Sequence, residues 1–283
     1  MKIKEMNFLH GLDNDLKQSL IKHLRDLWTH TSTAIEGNTL SLGETAFVIE
    51  EGLTVSGKPL KDHEEVVGHA IAVELIFSYI TRNSQFTKED LFALHKAVQT
   101  ERIYDIYKPV GNWKCEANGT TVITDNQEQI FLEYAAPNAV PTLMDNWFEI
   151  LNSFFKEKLE VDQAVTAYAY IHVSFVRIHP FFDANGRIGR LVANLPIIKS
   201  GLPPIIIPTE KRREYIRLLS KYELTVGEPI VGEPLLPNKE LLVNFISFCR
   251  DSWQQSLQLV ETAKNTQFMR NQRTLPKNQI RQK

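Results

Sequence analysis

The 283-residue sequence is poor in cysteine, holding only Cys115 and Cys249. Two distant cysteines make neither a disulfide framework nor a zinc site, and they suit a reducing cytoplasm. The sequence has no apolar run of the eighteen or so residues that a membrane helix needs. No apolar stretch follows the lysines of Met1-Lys2-Ile3-Lys4-Glu5, so a secretory leader is not expected. Charge of one sign is missing too: 32 basic against 34 acidic residues give a formal net charge of −2. Such a balance exerts no general pull on nucleic acid. A phosphate-binding loop of the Gly-x-x-x-x-Gly-Lys-Ser/Thr type does not occur, which sets aside that class of nucleotide enzyme. His63-Glu64 begins a zinc-helix pattern but does not complete it, because the next histidine, His69, falls off the His63 face. No internal repeat is visible.

What is present is helical periodicity in a sequence that is 43% hydrophobic, enough for a sizeable core. Leu16, Leu20, Leu24, Leu27 and Thr31 recur at helical spacing and predict a helix over 13–35. Ser41-Leu42-Gly43-Glu44 has the form of a capping box, and Thr87-Lys88-Glu89-Asp90 opens a further helix. Helices are also expected over 62–81, 141–158 and 162–178, from Thr209, and over 241–268. The region 102–137 is the least helical. Val122-Ile123 and Ile130-Phe131-Leu132 flank a polar Asp125-Asn126-Gln127 tip and predict a β-hairpin. A Pro-rich stretch with Pro229, Pro234 and Pro237 reads as a linker. The tail carries Arg270, Arg273, Lys277, Arg281 and Lys283 without an acid, and reads as a solvated end in preference to a nucleic-acid contact.

One stretch concentrates chemistry: His179-Pro180-Phe181-Phe182-Asp183-Ala184-Asn185-Gly186-Arg187-Ile188-Gly189-Arg190. Pro180 moves His179 out of the helical region and ends the apolar helix before it. A second helix starts near Gly186 and is expected to reach Leu195, with a kink or an early end at Pro196. Its first N–H groups have no partner within the helix and form an anion site with the helix dipole. Arg187 and Arg190, three apart, share a face there. Two guanidiniums beside free N–H groups suit a polyphosphate. Asp183 suits Mg²⁺ shared with phosphate oxygens. His179 is a titratable base at the rim, with an ordinary pKa near ~6.5 expected.

These residues resemble the signature of the Fic family, His-Pro-Phe-x-x-Gly-Asn-Gly-Arg-x-x-Arg. Ala184 departs from it, standing where Gly is usual; the substitution costs little unless a positive φ is required. A second match lies upstream. Ser32-Thr33-Ala34-Ile35-Glu36-Gly37 resembles the family's inhibitory motif, Ser/Thr-x-x-x-Glu-Gly/Asn. On its own, Glu36 reads as a solvated carboxylate opposing the helix dipole. With the resemblance, it pairs with Arg190 and takes the place of the γ-phosphate. Gly111-Asn112-Trp113-Lys114 resembles the segment leading into the family's flap, which makes Val122 and Ile123 the strand that holds a target by main-chain pairing.

The resemblance implies an all-α, Fic-type helical bundle with one β-hairpin. It implies a Fic domain over 1–225, with an inhibitory helix at about 13–37 and a catalytic core at about 85–225, followed by a linker, helix and tail over 226–283. It implies protein adenylylation: AMP passes from ATP to a Ser, Thr or Tyr hydroxyl of a target or of the protein itself. His179 would be the base, and Asp183 would hold Mg²⁺. Asn185 and Gly186 would hold the α-phosphate, Arg187 the β-phosphate and Arg190 the γ-phosphate. Gly189 belongs to the same nucleotide-binding stretch, and Tyr215 would lie beside the base. Three alternatives stay open: removal of AMP, transfer of another phosphoryl group at the same site, and a non-catalytic ATP-sensing module. Homodimers occur among such proteins.

Overall fold

The computed structural model describes residues 6–82, 84–100, 105–123, 127–156 and 158–274. The chain folds as α-helices around one main hydrophobic core, with a small second cluster of Leu40, Val48 and Val66 and a two-stranded hairpin. In order come α1 (Asn14–Ile35), α2 (Leu42–Glu51), α3 (Leu60–Ile80) and α4 (Lys88–Val98). The strands β1 (Gly119–Ile123) and β2 (Gln129–Glu133) follow. Then come α5 (Val140–Ser153), α6 (Val161–Ile178), α7 (Asn185–Val192), α8 (Leu195–Lys199), α9 (Arg212–Val226) and α10 (Val243–Thr274).

Local sequence sets the helix starts. Ser41 and Glu44 form a complete capping box for α2, and Thr87 and Asp90 one for α4; each satisfies backbone donors that a helix cannot satisfy itself. Gly52, at φ 66°, closes α2 in the left-handed conformation.

α6 is the axis of the fold. Tyr168, Ile171 and Phe175 are fully buried on it, and α5, α7 and α10 pack around it. Trp147 of α5 is also fully buried, and its indole N–H donates to the Ile171 carbonyl at 3.0 Å. Truncating such a side chain to Ala costs about 3–5 kcal/mol.

The hairpin is antiparallel, with Gly119 opposite Glu133 and Ile123 opposite Gln129. The Asp125-Asn126 part of its predicted tip lies outside the described residues, as do Lys277, Arg281 and Lys283 of the basic tail. Among the described residues no helix is long and apolar enough to cross a membrane.

Several boundaries differ from the sequence expectation. α5 stops at Ser153 and not at Lys158. The chain must reverse there to start α6, and Phe154 and Phe155 close tight turns onto Leu151 and Asn152. The helix after the signature is two pieces. α7 ends at Val192, and Pro196 sits in the first turn of α8, where its missing N–H is no loss. α10 runs past Phe268 to Thr274, tied to the start of α1 by Arg270–Asp15 at 2.8 Å and Gln267–Asp13 at 3.0 Å. The Pro-rich stretch before α10 is packed in: Leu235 and Leu236 are buried. The buried Arg177 guanidinium donates to the Gly227 and Leu235 carbonyls and pairs with Glu223 at 2.7 Å.

Candidate active site

The end of α6, the loop 179–184 and the start of α7 carry the signature residues. The C-terminus of α1 reaches them through Glu36, and the base of the hairpin through Lys114 and Asn118.

His179 is the C-cap of α6, with φ 52° and ψ 58°. This is left-handed and not the extended conformation that Pro180 suggests. The reason is its N–H, which still closes a helical bond to the Phe175 carbonyl at 3.0 Å; the left-handed conformation keeps that bond while leaving the right-handed region that proline disfavours. Nδ1 lies 3.1 Å from the Val176 carbonyl. A carbonyl only accepts, so Nδ1 carries the proton and Nε2 keeps its lone pair. The Tyr134 ring stacks on the imidazole, with centroids 3.7 Å apart and planes 2° from parallel. Burial pushes the His179 pKa down to about 4; Lys114 adds to the shift, while the Val176 carbonyl, Asp183 and Glu36 oppose it. The ordinary value expected from sequence is thereby corrected: the ring is largely out of water, and it is neutral throughout the physiological range.

Lys114 fixes the hairpin to this loop. It is 3% exposed. Its Nζ donates to Asn118 at 2.6 Å and to the Ile178 carbonyl at 3.5 Å, and its N–H donates to the Pro180 carbonyl at 2.9 Å. Asn118 in turn donates to the Phe181 carbonyl at 3.1 Å. Burial lowers the Lys114 pKa to about 8. On the other side of Phe181, His95 stacks at 4.0 Å and accepts from the Gly111 N–H at 2.7 Å.

Ala184 takes φ 66°. The position that usually holds Gly therefore does require a positive φ, and the alanine bears a strain of about 1 kcal/mol. The first helical bond of α7 runs from Ile188 N–H to the Ala184 carbonyl at 2.9 Å, so the preceding N–H groups have no helical partner. Both polar ends of the Asn185 side chain are used on the Phe181 backbone, at 2.9 and 2.8 Å. Asn185 braces the loop with its side chain and offers its backbone to the anion site.

Glu36 reaches this helix start. Its Oε1 accepts from Arg190 at 2.6 Å. The same oxygen lies 2.6 Å from where a Cβ on Gly186 would stand, so a side chain there would push the Glu36 carboxylate aside. A carboxylate thus occupies the α7 N-terminus, the place where an anion is favoured. Arg190 also donates to the Ser32 hydroxyl at 3.0 Å, the Ser32 carbonyl at 2.9 Å and the Tyr215 hydroxyl at 3.3 Å. Gly37, at φ 106°, turns the chain away directly after Glu36. Arg212 donates to the Ile35 carbonyl at 2.5 Å and offsets the carboxylate at the C-terminus of α1.

Arg187 is buried between Asp183 at 3.3 Å and Glu65 at 3.6 Å. Among the described residues no group of three His, Cys, Asp or Glu could cage a metal. Asp183 is a single carboxylate with its side chain 53% exposed. That donor set fits a cation held jointly with phosphate oxygens, as Mg²⁺ commonly is.

The structure therefore brings together His179, Asp183, Asn185, Gly186, Arg187, Arg190, Ser32 and Glu36. Tyr215 lies behind Arg190, 3% exposed, with its hydroxyl on the guanidinium. Gly189 lies against His172. Val122 is buried within the hairpin, while Phe131 of β2 is 60% exposed. Sequence reasoning missed Tyr134 and His172, which stand in no motif of their own, and the bracing role of Lys114, which it read only as part of the segment leading into the flap.

Residues 85–197 match the Fic/DOC family. The Caenorhabditis elegans protein adenylyltransferase fic-1 is 31% identical over 225 residues, which is 79% of this chain and 42% of that protein. The chain thus carries a Fic/DOC domain over residues 85–197. It spans less than half the length of the curated relatives that it matches. Two solved structures share the Fic fold. A Fic domain containing signaling protein from Bacteroides thetaiotaomicron superposes with a TM-score of 0.74 at 24% identity, over 90% of this chain and 93% of that one. Fic-1 from C. elegans, residues 134–508, superposes with a TM-score of 0.69 at 25% identity, over 92% of this chain and 69% of that one.

Proposed function

We propose that this chain is a protein adenylyltransferase held in check by Glu36. It transfers AMP from ATP to a Ser, Thr or Tyr hydroxyl of a protein, itself included. The observation that carries the proposal is the Glu36 carboxylate, bonded to Arg190 and seated over Gly186, in the place that the α7 N-terminus prepares for an anion. The names of the curated relatives support the choice of AMP transfer.

The attacking hydroxyl gives its proton to Nε2 of His179 as its oxygen bonds to the α-phosphorus. The bond from that phosphorus to the α,β-bridging oxygen breaks, and pyrophosphate leaves. The Val176 carbonyl and the Tyr134 ring hold the imidazole in the tautomer and plane that this requires. The free N–H groups at Asn185 and Gly186 receive α-phosphate oxygens. Arg187 takes the β-phosphate, and Arg190 the γ-phosphate once Glu36 withdraws. Asp183 would hold Mg²⁺, which supplies charge neutralisation on the leaving pyrophosphate. The hairpin edge takes the target segment by main-chain pairing.

The test uses ATP labelled at the α- or at the γ-phosphate, with the chain itself as acceptor. Covalent α-label is expected, weak in the wild type, strong in Glu36→Gly and absent in Glu36→Gly/His179→Ala. Covalent γ-label, or undiminished α-label without His179, refutes the proposal.

A further inference from the structure

Arg190 has a second set of partners that owes nothing to Glu36. Its guanidinium donates to the Tyr215 hydroxyl at 3.3 Å, and that hydroxyl lies 2.7 Å from Nε2 of His172. The directions of these bonds are forced. A guanidinium can only donate, so it takes a lone pair of the Tyr215 oxygen. The Tyr215 proton is then free for His172, whose Nε2 must accept it. The imidazole proton therefore sits on Nδ1, which faces the Gly189 backbone. Burial keeps this imidazole neutral by lowering its pKa to about 3, as the tautomer requires. The relay starts on α7 at Arg190 and ends at His172, whose Nδ1 lies against Gly189 of the same helix without a hydrogen bond to it. It also accounts for Gly189, because a Cβ there would stand 3.1 Å from His172 Nδ1.

The relay is held rigidly. Phe245 of α10 stacks on His172 at 5.9 Å and 9°, Tyr168 stacks on its ring at 5.7 Å and 16°, and Phe248 stacks on Tyr215 at 6.2 Å. Aromatic neighbours on several sides restrict both rings, which favours a hydroxyl aimed at Arg190.

We infer that Tyr215 and His172 are positioning residues that keep the Arg190 guanidinium in its phosphate-facing pose after Glu36 has been displaced, with α10 as their backing. The inference rests on the proposed function and assigns Tyr215 a place behind the arginine instead of beside the base.

Nucleotide discrimination separates the two roles. In the Glu36→Gly chain, calorimetric titrations with ATP and with ADP are compared before and after Tyr215→Phe and His172→Phe. Loss of one hydrogen bond to a charged group should weaken ATP about ten-fold, since Arg190 meets only the γ-phosphate, and leave ADP within about two-fold. The two substitutions should be non-additive, because both break one relay. His172→Gln, which keeps an acceptor for the hydroxyl, should restore much of the ATP preference. Equal weakening of both nucleotides, or no weakening of either by Tyr215→Phe, overturns the inference while AMP transfer by the Glu36→Gly chain stands. Failure of the Glu36→Gly chain to bind ATP at all overturns the proposed function and this inference with it.

Discussion

Replacing Glu36 by Gly removes one carboxylate from the α7 N-terminus, and its effect can be sized from the contact it breaks. The Glu36–Arg190 bond is short, at 2.6 Å, and joins a guanidinium side chain 3% exposed to a carboxylate side chain 40% exposed. Exposed pairs are worth about 0.2–1 kcal/mol, and bonds to buried charged groups about 1.5–3 kcal/mol. A pair buried at one end falls between, at about 1–2 kcal/mol. ATP must displace this contact to place its γ-phosphate on Arg190, so its removal should tighten ATP binding about 5- to 30-fold. Rate should rise by at least the same factor at sub-saturating ATP. It should rise further if the bound carboxylate holds ATP in an unproductive pose.

The assay is auto-adenylylation, with ATP titrations, of the wild type, Glu36→Gly, Arg190→Ala and the double variant. Arg190→Ala should lower activity, because the γ-phosphate loses its anchor, and Glu36→Gly should not restore it. That non-additivity is the signature of two residues acting through one contact. An unchanged rate in Glu36→Gly, or a double variant as fast as Glu36→Gly alone, refutes the lock.

Asp183→Ala in the Glu36→Gly background should bring activity close to zero and make the remainder insensitive to added Mg²⁺; a Mg²⁺ titration identical to that of the parent refutes the assigned role. Phe131, exposed on β2, should serve the target and not the nucleotide, so Phe131→Asp is expected to cut transfer to a protein acceptor several-fold at unchanged ATP affinity, and equal losses in both would refute this. Stability should fall on acidification. His95 and His179 have pKa values lowered to about 4 and His172 to about 3, all mainly by burial. Between the unfolded value near ~6.5 and those values, the unfolded chain binds more protons. Stability is then complete above about pH 6.5 and declines below it by at least about 1.4 kcal/mol per pH unit, one proton's worth. Chemical denaturation at pH 7.5, 6 and 5 checks this, and a flat profile refutes it.

The helices were legible because their signals are local. The capping boxes at Ser41 and Thr87, the apolar repeat of α1 and the proline in α8 each act within a turn or two. The same locality explains what was misread. α5 is cut short by the need to reverse direction before α6, and the stretch around Leu235 is drawn into the core by Arg177, more than fifty residues away. Neither cause is visible in a short window. The signature loop was legible as a set of residue types, but not in its division of labour. Asn185 spends its side chain on the Phe181 backbone, and Tyr134 reaches His179 from the base of the hairpin, directly after β2.

The places where local rules fail converge on one site. Glu36 opposes the dipole at the end of α1. Among the described residues, the non-glycine positions with positive φ are Gln127, His179, Ala184 and Asn238, and two of these four flank the signature loop. Glu36 has a partner that only the tertiary fold supplies, Arg190, whereas His179 and Ala184 each keep a local helical bond, to the Phe175 carbonyl and from the Ile188 N–H. Strain of this kind persists only where the surrounding structure over-determines it. A carboxylate that disfavours its own helix, yet satisfies a buried arginine, is held by one contact and opposed by another. Its balance can therefore be tipped by a competing anion, and ATP brings that anion to the same arginine.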